Sequence, residues 1–126
     1  MSSHDTELFF GRFSFKSFEM QRNAASALLL SPGAVQVYYG DEVARNIGPY
    51  ADDFHQGTRS DMTWSLDADR QQLLKHWQTL GQFRQDHPAI GAGNHQEIKQ
   101  QNGYAFSRTL GADTVVVAFA GKPKSP

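Results

Sequence analysis

Residues 35–39, Val-Gln-Val-Tyr-Tyr, constrain this chain more than any other stretch. They lie between the breaker Ser31-Pro32-Gly33 and the turn Gly40-Asp41-Glu42. Apolar side chains fall on both faces, which is the pattern of a central strand in a parallel sheet, covered above and below. The stretch before them has helical spacing. Ser17 serves as N-cap, Glu19 sits in the first turn, and Phe18, Ala25, Leu28 and Leu29 recur on one face up to Leu30, where Pro32-Gly33 ends the pattern. A helix feeding such a strand is half of a βαβ unit, so the first part of the chain belongs to the α/β class.

Residues 40–66 hold Gly40, Gly48-Pro49, Asp52-Asp53 and Gly57 without sustained periodicity. They read as a long loop, a length that in compact domains usually accompanies function. Asp67 then caps a predicted helix over residues 68–86 with Leu73, Leu74, Trp77 and Leu80 on its buried stripe. Gly81 within it costs about 1 kcal/mol relative to Ala. His87 precedes Pro88, which pushes it out of α geometry and stops the helix. After a Gly-rich link at residues 91–93 the period changes to two. Ile98, then Tyr104 and Phe106, then Val115, Val117 and Phe119 mark three strands of a small antiparallel meander, the first two joined around Asn102-Gly103. The tail at residues 121–126 reads as disordered.

Composition narrows the function. With 126 residues, 39% hydrophobic and 20% charged, the chain has the make-up of an ordinary folded domain. A net charge of −1 leaves no basic stripe for a phosphate backbone, so nucleic acid is not an expected partner. The absence of cysteine excludes disulfides and thiolate metal sites within these residues. Neither a signal-peptide pattern nor an apolar run approaching the about 18 residues of a membrane span occurs, so no membrane partner is expected.

The residues with chemistry lie at the two ends of this α/β part. Ser3-His4-Asp5-Thr6 opens the chain, and Arg59, Met62 and Trp64 follow the turn Gly40-Asp41-Glu42. In order, these landmarks are His4-Asp5, a helix closing on Leu28-Leu29-Leu30, an apolar strand into Tyr38-Tyr39-Gly40-Asp41-Glu42, the Arg59 to Trp64 loop, and a helix ending at His87-Pro88-Ala89-Ile90. The series closely resembles the end of the catalytic barrel in the α-amylase family of glycoside hydrolases, and within it the bacterial periplasmic members. The resemblance covers roughly residues 3–90; beyond that only the pattern of a carboxy-terminal β-domain fits. Two positions depart from the family, Ser3 where Asn is usual and Asp61 where Pro is usual.

The resemblance implies the last portion of a (β/α)₈ TIM barrel, strands seven and eight with their helices, over residues 1–90, and the start of an antiparallel β-domain over residues 91–126. It assigns the transition-state-stabilising carboxylate of a retaining α-glucan hydrolase to Asp5 and hydrogen bonding of the same sugar to His4. The substrates it implies are α-1,4-linked starch or maltooligosaccharides, and the parent is expected to be periplasmic or secreted. Retaining hydrolysis needs a nucleophile and an acid/base carboxyl about 5 Å apart. In the family both lie on earlier barrel strands, so the isolated chain is expected to be inactive. No cofactor is expected in this stretch; where relatives bind calcium, upstream residues hold it. Among the local residues, His55, His76, His87 and His95 are scattered and Asp52-Asp53 lacks a calcium-loop pattern, so no metal site is predicted.

Other readings of the same residues stand beside these. Tyr38, Tyr39, Asp41 and Glu42 read as structural, the two carboxylates tying the following loop to its neighbours. Arg59 is either a residue near the outer sugar subsites or the partner of a nearby carboxylate. The cluster Phe9, Phe10, Phe13 and Phe15 reads as packing rather than sugar stacking. The unpaired strand edges of a partial barrel invite self-association. From a different class, the meander could serve as a carbohydrate-binding or interaction module, or the chain could be an inactive remnant.

Overall fold

The computed structural model of the chain describes residues 1–13, 16–50 and 53–120, with Arg12, Phe13 and Phe54 described in their backbone only. Phe15, Asp52 and the tail at residues 121–126 lie outside the described residues. The chain divides into two compact units, Met1–Leu29 with Val35–Gly81, and Leu30–Ala34 with Gln82–Pro126.

In the first unit a π-helical turn, Phe9–Phe13, precedes helix α1, Phe18–Leu29. A 3₁₀ turn at Asp41–Val43 and the short helix α2, Phe54–Gly57, interrupt the long loop before helix α3, Ala68–Asp86, which belongs to this unit up to Gly81. The predicted caps start both long helices. Ser17 Oγ accepts the Met20 N–H at 3.2 Å, and Asp67 Oδ1 accepts the Arg70 N–H at 2.9 Å. That backbone bond, with the Arg70 guanidinium, holds the Asp67 carboxyl below its usual range against some desolvation. Ala25 and Leu29 of α1 meet Leu73 and Trp77 of α3 in a core completed by Phe10 and Ala44. Phe10 and Phe18 pack with ring centroids 4.9 Å apart, and the Arg70 guanidinium lies 5.8 and 5.7 Å from their centres. Phe10, one of the predicted cluster, therefore packs in the core. His76 Nε2 of α3 lies 2.9 Å from Ser26 Oγ of α1, so a hydrogen bond also ties the two helices.

Residues 35–39 differ from their reading as a paired strand. Among the described residues the only sheet is the meander of the second unit, and residues 34–38 carry no ladder. A parallel strand exists through hydrogen bonds to the strands on either side of it. Among the described residues no such neighbours flank the stretch, and Val37 and Tyr39 are 45% and 40% exposed.

The second unit contains α4, Ala89–Ala92, and the strands β1, Asn94–Ile98, β2, Tyr104–Leu110, and β3, Asp113–Phe119. They pair antiparallel in the order β1-β2-β3. Asn102-Gly103 turns the first hairpin, with Gly103 at φ +95°. The Gly-rich link of the sequence is thus mostly a turn of helix, which seats Ile90 on Phe106, Val115 and Val117. Its last carbonyls, those of Ala89, Ile90 and Gly91, accept hydrogen bonds from the Arg108 guanidinium, which is only 6% exposed. Gly93 has no alternative here: a Cβ would stand 2.6 Å from Ala89 O and 2.8 Å from Thr109 O. Asp113, at the start of β3, accepts the Ala89 N–H at 2.9 Å and lies 2.8 Å from His87 Nδ1. The His87 bond, with the Ala89 N–H, holds the Asp113 carboxyl below its usual range.

Two outcomes are expected. Around Gly81 nothing would touch an added Cβ, so Gly81→Ala should raise stability by about 1 kcal/mol in chemical denaturation; an unchanged or lower midpoint would show that its helical setting is not what sets its cost. Because the Asp113 pKa is lower in the folded state, its contribution is present above its unfolded value of about 4 and is lost as pH falls through the folded value. The stability difference between the wild-type chain and Asp113→Asn should therefore narrow on acidification from pH 6 (about two units above that value), and a constant difference would contradict the linkage.

Candidate functional site

His4 and Asp5 sit in a tight turn whose first residue does the capping. Ser3 Oγ accepts the N–H groups of Asp5 and Thr6, each at 3.1 Å, and lies 3.0 Å from Thr6 Oγ1. The serine at the family's Asn position thus satisfies the backbone of the turn by itself. The turn presents both functional side chains to solvent. His4 Nε2 is 3.0 Å from Asp5 Oδ2, and the two side chains are 60% and 71% exposed. The other oxygen, Asp5 Oδ1, faces Arg59 Nη2 at 3.7 Å, while Arg59 Nη1 donates to His55 O at 2.7 Å. The three residues singled out in the sequence therefore meet at one place, with Arg59 beside the Asp5 carboxylate.

The turn is held from both sides by residues 38–60. Asp41, 5% exposed, accepts the Ser2 N–H at 3.1 Å and the Ser2 hydroxyl at 2.5 Å. Desolvation pushes its carboxyl above the usual range, and the Ser2 donors and the Arg45 charge oppose that push. On the other side, the Thr58 hydroxyl lies 2.9 Å from His4 O and 3.0 Å from His55 O, sharing its proton between them. Asp41 thus reaches back to the amino-terminal segment and not to the following loop, and Glu42 Oε2 accepts the Gly40 N–H of its own turn at 2.8 Å.

Arg45 organises the following loop. Its side chain is 2% exposed, and its guanidinium donates to Tyr39 O at 3.2 Å, Thr58 O at 3.0 Å, and Ser60 O and Oγ at 3.0 and 2.5 Å. The Tyr39 ring centre is 4.0 Å from its central carbon. Tyr38 and Tyr39 add hydroxyl bonds to Thr58 O and Ser60 O, both at 2.8 Å, which bears out their structural reading. Burial, followed by the neighbouring Tyr39, pushes the Tyr38 phenol up, and Arg45 works against it. Gly40 is at φ +88°, and a Cβ there would lie 2.5 Å from Arg45 Nε. Its place in the Tyr-Tyr-Gly-Asp-Glu motif is therefore a packing requirement.

Sequence reasoning did not single out Arg45, Thr58 or Ser60. The only sign was a lone Arg five residues after a Gly that follows two tyrosines, and spacing alone could not reveal that it folds back over them. Trp64, a landmark of the resemblance, is 84% exposed. Among the described residues no group of three or more His, Cys, Asp or Glu is placed to hold a metal ion.

No family model matches the chain. Individual proteins do. It is 46% identical over 123 residues to the periplasmic alpha-amylase of Escherichia coli (strain K12), an alignment that takes in 97% of this chain and 17% of the relative, so the chain spans about a sixth of that protein's length. Among solved structures, the alpha-amylase from H. orenii superposes with a TM-score of 0.72 at 23% identity, over 94% of this chain and 28% of the other. The cyclic alpha-maltosyl-(1→6)-maltose hydrolase from Arthrobacter globiformis, solved with cyclic alpha-maltosyl-(1→6)-maltose, superposes at 0.66 with 26% identity, over 95% and 32% of the two chains. The order of motifs and these likenesses lead to one conclusion: over almost its whole length the chain is similar to the closing segment of an α-amylase TIM barrel with the strands that follow.

Proposed function

We propose that these residues supply the sugar-gripping corner of a retaining α-glucan hydrolase acting within α-1,4-linked chains. The observation that carries the proposal is the solvent-open pair His4–Asp5, at 3.0 Å, with Arg59 beside the second carboxylate oxygen. Asp5 is the transition-state stabiliser. A carboxylate that is 71% exposed has lone pairs free to accept two hydroxyls of one sugar ring, and bonds of this kind strengthen as the ring flattens towards an oxocarbenium ion. His4 binds the same ring through its imidazole, and Arg59 steadies the carboxylate and lies towards the outer sugar positions. Cleavage itself needs a nucleophile and an acid/base carboxyl, which the family carries on earlier strands, so the chain by itself binds without turning over. Maltooligosaccharides are the substrate class, a reading supported by the maltosyl sugar named for the Arthrobacter relative. The periplasm is the proposed compartment, from the name of the Escherichia coli relative.

Calorimetry with maltoheptaose tests the assignment. Binding to the purified chain should weaken by about tenfold or more in Asp5→Asn, as for loss of a charge-assisted hydrogen bond. Affinity lost only in Tyr104→Ala would move the sugar site to the meander, where Tyr104 is 44% exposed and its hydroxyl lies 3.2 Å from His95 Nε2. Release of reducing sugar from starch by the pure chain would overturn its lack of turnover. The unladdered stretch at residues 34–38 also supports self-association through a sheet edge. Sedimentation should show a larger species growing with concentration, against which a monomer at every concentration would count.

A further inference from the structure

The tight turn after Tyr39 reaches the sugar corner from two directions, and Arg45 is common to both. Arg45 N donates to Gly40 O at 2.8 Å, which closes the turn that aims Asp41 at Ser2. Its guanidinium holds Thr58 O and Ser60 O, the carbonyls on either side of Arg59. Thr58 then bonds the His4 carbonyl through its hydroxyl, and Arg59 faces Asp5. We propose that Arg45 is a positioning residue for the His4–Asp5 corner: it touches no sugar and sets the distance of Thr58 and Arg59 from the pair.

Several features support this role over that of a general core residue. A buried guanidinium must have its N–H groups satisfied, and here the acceptors are fixed backbone carbonyls, so the cation imposes one spacing on three separate points of the loop. Lysine cannot replace it, because one ammonium does not span a planar fork. Thr58, the relay, is fully buried, yet its hydroxyl is committed to a turn whose functional side chains are open to solvent. The loop geometry is thereby passed to exposed groups that have little packing of their own.

The proposal rests on the reading of His4–Asp5 as the sugar corner, and the test separates the two. Nuclear magnetic resonance of the unliganded chain reports the His4 and Asp5 signals, with those of Val115 and Val117 in the sheet as an internal control, and maltoheptaose titration reports affinity. In Arg45→Lys the His4 and Asp5 signals should move towards random-coil positions while the two valines keep theirs, and affinity should fall about tenfold. Thr58→Val should do the same at His4, and Thr58→Ser, which keeps the hydroxyl, should restore both signals and affinity. Wild-type signals and affinity in a folded Arg45→Lys or in Thr58→Val would overturn the proposal. Should Arg45→Lys not fold, the Thr58 pair decides. If the wild-type chain does not bind maltoheptaose, the sugar reading fails while the resonance shifts still decide the role of Arg45.

Discussion

A guanidinium buried without a carboxylate among its hydrogen-bond partners is the constraint on which the first unit depends. Three carbonyl oxygens, one hydroxyl and the face of Tyr39 replace the water that the Arg45 guanidinium gave up. Removing such a cation leaves its acceptors unpaired, and each buried acceptor without a partner typically costs about 1–3 kcal/mol. That dependence explains neighbouring choices. Gly40 lacks a side chain because Arg45 passes over it, and Tyr38 and Tyr39 carry hydroxyls because Thr58 O and Ser60 O accept them.

The corner shows how exposed chemistry can be held by buried structure. His4 and Asp5 are largely exposed, yet Ser2, two residues before His4, is bonded to Asp41 and the carbonyl of His4 to Thr58. Side chains open to solvent cannot be packed from the front. Here they are held from behind by hydrogen bonds whose partners are buried, where competition from water is weakest. The second unit uses the same device for a structural end: Arg108 and Asp113 satisfy opposite ends of α4, and with Ile90 they fasten that turn to the meander.

Where elements carry their own local signal, the sequence was legible. Ser17 and Asp67 are the caps of α1 and α3 because a side-chain oxygen there can reach an unpaired N–H at any tertiary arrangement. Period-two apolar residues and Asn102-Gly103 located the meander for the same reason. Elements without such a signal were missed: the π turn at Phe9–Phe13, the helical turn hidden in Ala89–Ala92, and the pairing state of residues 35–39. The last is instructive, because apolar faces identify what a strand needs and not whether its neighbours are at hand.

By itself the sequence located the two long helices and the meander, pointed to the likeness with α-amylases and singled out His4, Asp5 and Arg59 as candidates, since caps, turn residues and motif order depend on neighbours along the chain. The tertiary structure decided how those residues are held. That Arg59 meets Asp5, that Thr58 bonds His4, and that one arginine orders the loop between them are contacts across tens of residues, and they arise only when burial forces a cation to find its acceptors in the backbone around it.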